Sequence, residues 1–231
     1  VAPENTLPAF ASALDLGVDF VEFDTQVSAE GVPVVFHDET LDRTTDACSH
    51  WNDRGILLAS KSLADLKQLD AGRWYGERFV GTEIPTLVEA LRLISPRSMT
   101  MVERKIGDAA AHLRAIEDCR ATDRVIVQAF DWAFLADCRR QSPHLLLGAL
   151  GEKEITEPKL DEAKALGVSV IGWEASYFTP DNIAAIHRRG LRAWAWTVDD
   201  VSLARQLIAA GIDGLISNVP AKIQAILKAS P

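Results

Sequence analysis

The sequence predicts an α/β fold in which βα units surround a parallel sheet, and three features carry that reading. The first is a repeated punctuation. Helix-like stretches end on glycine and give way at once to apolar, strand-like runs: Leu16-Gly17 before 18–24, Leu166-Gly167 before 168–173, Arg189-Gly190 before 191–198, and Ala210-Gly211 before 213–217. Glycine just past a helix end takes up left-handed backbone without a Cβ penalty and so closes the helix. The second is a set of helix starts: Thr86-Leu87-Val88-Glu89 fits a capping box, and Asp108, Asp131 and Thr179-Pro180 suit cap or first-turn positions. The third is the strand count. Segments 20–25, 100–105, 124–130, 145–150, 168–174, 192–198 and 214–218 give seven candidates, one fewer than the eight that close a (β/α)8, TIM-like barrel. With 231 residues, 48% of them hydrophobic, the chain has ample core for one barrel domain spanning 1–231.

Taken in order, residues 6–16 read as a helix with no strand before it, so a first strand is expected upstream of Val1. Residues 18–24 are rich in β-formers. Residues 25–35 contain the turn Ala29-Glu30-Gly31 between extended flanks and read as a hairpin, whose return would bring His37 beside Asp24. Residues 44–85 break the alternation, with one short helix-like patch at 62–69. So long an excursion is expected to be a small inserted subdomain or lid. From there strand and helix alternate with short joints to the end.

Net charge of −9 argues against nucleic acid or an anionic membrane surface as the main partner. No apolar run reaches the ~18 residues of a membrane span, so stable membrane insertion is not expected. Cys48, Cys119 and Cys138 are scattered with no CxxC pair, which suggests neither a zinc ribbon nor a disulfide framework. Their odd number favours a reducing compartment, and a cytoplasmic location is expected.

Glu22 and Asp24 lie two apart in the run Val18-Asp19-Phe20-Val21-Glu22-Phe23-Asp24, so a strand sends both carboxylates from one face. Phe20 shares that face; Val21 and Phe23 point the other way. Two such charges ~4 Å apart repel by about 4 kcal/mol at an effective dielectric of ~20. A cation would relieve this; a half-solvated strand with two exposed acids is the plain alternative. Glu103 and Lys105 repeat the two-residue period near the end of another strand, where catalytic groups of such barrels collect. Three carboxylates with no histidine or cysteine suit one hard divalent ion, Mg²⁺ or Ca²⁺, better than zinc. In this arrangement Lys105 is expected one layer further out; a surface strand end with a local ion pair is the competing reading.

His37 follows the apolar Val34-Val35-Phe36 and precedes Asp38. Its return to the carboxylates makes it a candidate for proton transfer. His50, His112, His144 and His187 sit in loop or helix contexts and read as structural or exposed. Trp194 and Trp196 share a strand face; Trp196, nearer the strand's end, either fills volume or walls a substrate pocket. Gln128 near the end of 124–130 is a weaker candidate for substrate contact, core hydrogen bonding being the alternative. GxxxxGK[ST], GxGxxG and GxSxG motifs are all absent.

At these residues the chain strongly resembles the glycerophosphodiester phosphodiesterases. The matching pieces are Pro3-Glu4-Asn5-Thr6-Leu7, Val21-Glu22-Phe23-Asp24, residues 34–43 (VVFHDETLDR) with Thr44-Thr45, Leu69-Asp70-Ala71-Gly72, Ile84-Pro85-Thr86-Leu87, Glu103-Arg104-Lys105, Trp196-Thr197-Val198 and Gly211-Ile212-Asp213-Gly214. They keep the family's order and cover nearly the whole chain. The resemblance implies a (β/α)8 barrel with a small inserted subdomain at 44–85. It implies that Glu22, Asp24 and Glu103 bind metal, that His37 is one of two acid–base histidines, and that Lys105 lies near the phosphate. The implied reaction hydrolyses a glycerophosphodiester to glycerol 3-phosphate and an alcohol. A glycerol hydroxyl attacks phosphorus, and water then opens the cyclic intermediate. The family's His-Arg-Gly motif falls before Val1, and Ala129 and Asn218 stand where the family often has serine and aspartate. Two alternatives stay beside this reading: a related barrel phospholipase acting on lysophospholipid or sphingolipid phosphodiesters, and a noncatalytic ligand-binding barrel lacking the upstream histidine.

Overall fold

The computed structural model describes residues 1–228. Helices and strands alternate along it: α1 (Leu7–Leu16), β1 (Phe20–Val27), β2 (Pro33–Val35), α2 (Ala47–Trp51), α3 (Leu63–Leu66), α4 (Leu87–Ile94), β3 (Met99–Arg104), α5 (Ala109–Asp118), β4 (Val125–Ala129), α6 (Trp132–Gln141), β5 (Leu146–Gly151), α7 (Glu157–Ala165), β6 (Val170–Glu174), α8 (Pro180–Arg188), β7 (Arg192–Trp196), α9 (Val201–Ala209), β8 (Gly214–Leu215) and α10 (Pro220–Lys228). The strand order is β2-β1-β3 in the N-terminal part and β4-β5-β6-β7-β8 in the C-terminal part. β1 with β3, and each successive pair from β4 to β8, run parallel, while β2 is antiparallel to β1. The expected α/β class is therefore what forms. All seven expected strands are present, and the hairpin return β2 is the eighth.

Two compact units divide the chain after Val125. In the first, Thr6 caps α1 by accepting from the Ala9 N–H, and its hydroxyl donates to the Pro3 carbonyl at 2.7 Å. Gly17 closes the helix with φ 70°, and its N–H donates to the Leu14 carbonyl at 3.1 Å. Phe10 of α1 meets Phe23 of β1 with ring centroids 5.1 Å apart. Burying each phenyl contributes roughly 2–3 kcal/mol, which sends Val21 and Phe23 inward and Glu22 and Asp24 to the opposite face. The hairpin pairs Thr25 with Val35 and Val27 with Pro33, turning at Gly31 with φ 80°. Residues 44–85 hold α2, α3 and short 3₁₀ turns. Leu58, Leu66, Leu69 and Ile84 are buried there in a cluster that includes Val34, Phe36 and Leu41. Asp70 ties the segment's far end by accepting from the N–H groups of Gly72, Arg73 and Gly81 at 2.9–3.0 Å.

In the second unit the strands are almost wholly apolar; Ile126, Val127, Leu147, Ala149, Val170, Ile171, Ala193 and Ala195 are all buried, as expected where both sheet faces are covered. Bulk decides two glycines here. A Cβ on Gly151 would lie 2.0 Å from the Trp173 ring, and one on Gly214 would lie 2.5 Å from Trp194.

Candidate active site

The parallel register sets Asp24 of β1 beside Glu103 of β3, and Glu22 beside Met101. The pleat sends Glu22 and Asp24 from one face, and one oxygen from each of Glu22, Asp24 and Glu103 lies within 4.8 Å of the others. Asp24 and Glu103 are buried and Glu22 is half-buried. Burial, then the Asp24 charge, pushes the Glu103 carboxyl above its usual range, against the pull of Lys105. Buried like charges sharing one space are relieved by protonation or by a compensating cation. The donors are all carboxylate oxygens, and these three residues could hold a divalent metal of the hard class.

Lys105 does not stand further out. Its backbone N–H donates to the Thr25 carbonyl at 2.9 Å, and the side chain turns back. Nζ lies 3.0 Å from Asp24 Oδ1 and also donates to Glu103 Oε1. Burial works against the ammonium, but the two carboxylates outweigh it and hold its pKa above the ordinary value. Lys105 thus neutralises part of the acidic cluster.

Asn5 fixes Asp24 from the other side. Its Nδ2 donates to Asp24 Oδ2 at 3.0 Å, and its Oδ1 accepts the Asp24 N–H at 3.1 Å. The backbone there has φ 55°, a left-handed conformation that asparagine tolerates better than most residues. Asn5 therefore suits the position twice, by backbone and by amide.

The hairpin delivers His37 as expected: the Phe36 N–H donates to the Asp24 carbonyl at 3.0 Å. Gln26, the next residue on the Glu22–Asp24 face, is buried and donates its Nε2 to the backbone carbonyls of His37 and Asp38. His37 Nδ1 lies 2.7 Å from Asp38 Oδ1. Arg43 grips Asp38 through Nε at 2.5 Å and Nη2 at 2.9 Å, and grips Glu4 through Nη1 at 2.9 Å and Nη2 at 2.6 Å. The Arg43 hydrogen bonds, and secondarily His37, hold the Asp38 carboxyl at about 2 despite some burial. Behind the cluster, the Thr25 hydroxyl lies 2.8 Å from the Glu103 carbonyl and 3.1 Å from Nε2 of the fully buried His112.

In the second unit, Gln128 is buried on β4, and glycines on the neighbouring strands make room for it. A Cβ on Gly148 would lie 3.1 Å from the Gln128 Cβ, and one on Gly172 would lie 3.6 Å from Oε1. Trp196 packs edge-on to Phe130 with centroids 5.6 Å apart. Its buried indole N–H finds no acceptor among the described residues.

Sequence reasoning thus named all three carboxylates, His37 and Lys105, and the first unit brings the carboxylates and Lys105 together, with His37 delivered beside Asp24. It assigned no role to Glu4, Asn5, Gln26, Asp38 or Arg43. Gln26 was within reach, because it continues the two-residue period of Glu22 and Asp24. The Arg43–Glu4 pair, 39 positions apart, carries no local signal.

The profile of the Glycerophosphoryl diester phosphodiesterase family matches residues 1–222. The chain is 34% identical over 227 residues to the glycerophosphodiester phosphodiesterase of Caldanaerobacter subterraneus subsp. tengcongensis, covering 94% of this chain and 89% of that protein. Among solved structures, it resembles an Oleispira antarctica phosphodiesterase in complex with the product sn-glycerol-3-phosphate, at 31% identity and TM-score 0.90, with 98% of this chain and 92% of that one covered. The glycerophosphodiester phosphodiesterase of Agrobacterium tumefaciens follows at 26% identity and TM-score 0.82, with 97% and 94% covered.

Proposed function

The chain belongs to the glycerophosphoryl diester phosphodiesterase family, and from that premise we propose that Glu22, Asp24 and Glu103 hold one divalent cation while His37 moves the proton in its reaction. The enzyme hydrolyses glycerophosphodiesters to glycerol 3-phosphate and an alcohol. The observation that carries the metal assignment is the convergence of the three carboxylates within 4.8 Å from two separate strands. All-oxygen donors favour Mg²⁺ or Ca²⁺ over zinc. Bound there, the cation supplies Lewis-acid charge toward phosphoryl and hydroxyl oxygens.

The protein's own groups do the rest. Asp38 offers His37 an acceptor only, so Nδ1 carries the proton and Nε2 keeps its lone pair for the entering hydroxyl. Once protonated, the same imidazole can return that proton to a departing alkoxide. Lys105 provides a positive charge for the phosphoryl oxygens. Trp196, with its uncommitted indole N–H, and Gln128 are proposed as substrate contacts in the second unit. Residues 44–85 are proposed as an inserted subdomain that sets alcohol preference. The noncatalytic alternative gives way, since the relatives at 31% and 34% identity are phosphodiesterases.

Glycerophosphocholine turnover with and without chelator tests this, with phosphorus NMR to identify the product. Chelation should abolish release of glycerol 3-phosphate, and Glu103→Gln should lower both metal affinity and kcat by about 100-fold or more. Turnover indifferent to chelator would remove the metal from the mechanism, and a cyclic phosphate as sole product would favour the phospholipase alternative.

A further inference from the structure

Two motifs of the sequence, Pro3-Glu4-Asn5-Thr6 and His37-Asp38 with Arg43, hold charged residues to which the reaction gives no task. We propose that Arg43 is a positioning residue. It clamps Asp38 against Glu4 so that Asp38 holds the His37 imidazole in the Nδ1–H form, with Nε2 presented to the substrate. This rests on the reading of His37 as the proton-transfer group.

Geometry carries the inference. Four of the five guanidinium N–H bonds are committed, two to each carboxylate. Asp38 Oδ1 accepts from both His37 Nδ1 and Arg43 Nη2, so the imidazole and the guanidinium share one oxygen. An arginine fork that grips both oxygens of a carboxylate fixes the plane of the group as well as its position. The plane of Asp38 then fixes the direction from which His37 can donate. Beneath, Gln26 pins the carbonyls of both residues, leaving the imidazole torsions as the main freedom, which the shared oxygen removes. The far end of the clamp, Glu4, adjoins Asn5, which holds Asp24. One chain of contacts therefore runs from the carboxylate cluster to the histidine.

Magnitude separates this role from a stabilising one. The His37 and Arg43 side chains are about half exposed, and exposed ion pairs contribute only ~0–1 kcal/mol each to folding. Four charged groups arranged for so small a return are better explained by the orientation they impose. Lysine cannot replace the arginine here, because its ammonium is a point charge without a planar fork.

The test compares wild type with Arg43→Lys and Asp38→Asn, after thermal melts confirm that both fold. Imidazole ¹⁵N NMR reads the His37 tautomer whether or not substrate turns over. Kinetics on glycerophosphocholine with Mg²⁺ or Ca²⁺ read the consequence, and titration calorimetry with the same ions reads the metal site. Wild type should show the Nδ1–H tautomer, and both variants a mixture. For both, kcat should fall roughly 10–100-fold, as for other partners that orient a functional histidine, while KM and metal affinity hold. Guanidinium added to Arg43→Ala should restore part of the lost kcat. An unchanged tautomer with unchanged kcat in Arg43→Lys would overturn the proposal. So would a kcat loss matched by loss of metal affinity, which would make Arg43 a prop for the carboxylates. A wild type with the expected tautomer but no turnover would uphold the clamp and sink the assigned role of His37.

Discussion

Asp38 shows how one side chain's surroundings become a measurable pH dependence. Hydrogen bonds from Arg43, aided by His37, bring its carboxyl from the ordinary 3.8 to about 2. A carboxyl with a depressed folded-state pKa stabilises the protein above its unfolded pKa, and this contribution fades as pH falls toward the folded value. Asp38→Asn should therefore be less stable than wild type at pH 6 by ~1–2 kcal/mol, a figure already reduced for solvent screening. The gap should close between about pH 4 and pH 2. Chemical denaturation of both proteins across this range checks it; a gap that stays constant would show that the loss is not ionic. At this scale the sequence was partly legible. Glu22, Asp24 and Gln26 announce their shared face by period alone. Nothing near Arg43 announces Glu4, because a surface ion pair leaves no trace in local periodicity.

The element scale is where the sequence was most legible. The expected capping box forms at α4: the Thr86 N–H donates to Glu89 Oε2 at 2.7 Å, and the Glu89 N–H donates to Thr86 Oγ1 at 3.2 Å. The four glycines expected past helix ends have φ of 70°, 74°, 70° and 91°. Helix α4 buries Leu87, Ala90, Leu91 and Ile94, and Glu89 also receives Lys67 Nζ at 2.6 Å, so the cap anchors residues 44–85 as well. Thr86→Ala should cost about 1 kcal/mol, typical of a lost N-cap, read as a shift in the urea midpoint at constant slope. An unchanged midpoint would mean that solvent replaces the cap. Inside 44–85 the sequence was far less legible. Its helices are only four and five residues long, too short to show a period, and its order comes from the buried Leu41–Leu58–Leu66–Ile84 cluster and from Asp70 gathering backbone N–H groups.

For the whole molecule, the acidic cluster links ligand binding to stability. A cation that binds only the folded state adds ~2.7 kcal/mol at a hundredfold excess over Kd, which for a chain of this length raises Tm by about 5–10 °C. Wild type melted with Mg²⁺ or Ca²⁺ should show that rise, and Glu103→Gln should show little of it. Because burial and Asp24 raise the Glu103 pKa, protons compete with the cation, and the rise should shrink as pH falls. An equal increase in both proteins would place the stabilising ion elsewhere. Among the described residues, no helix is long and apolar enough to cross a membrane.

The sequence by itself determined where helices begin and end, which strand residues share a face, and which residue types were available for a metal and a proton. These properties rest on backbone sterics and hydrogen bonds that reach only three or four positions along the chain. Only the tertiary structure decided that Asp24 would lie opposite Glu103, that Lys105 would fold back onto both, and that Arg43 would join Glu4 to Asp38. Those pairings follow from strand register and loop path, which are set by burying apolar faces between distant segments, and no spacing in the sequence records them.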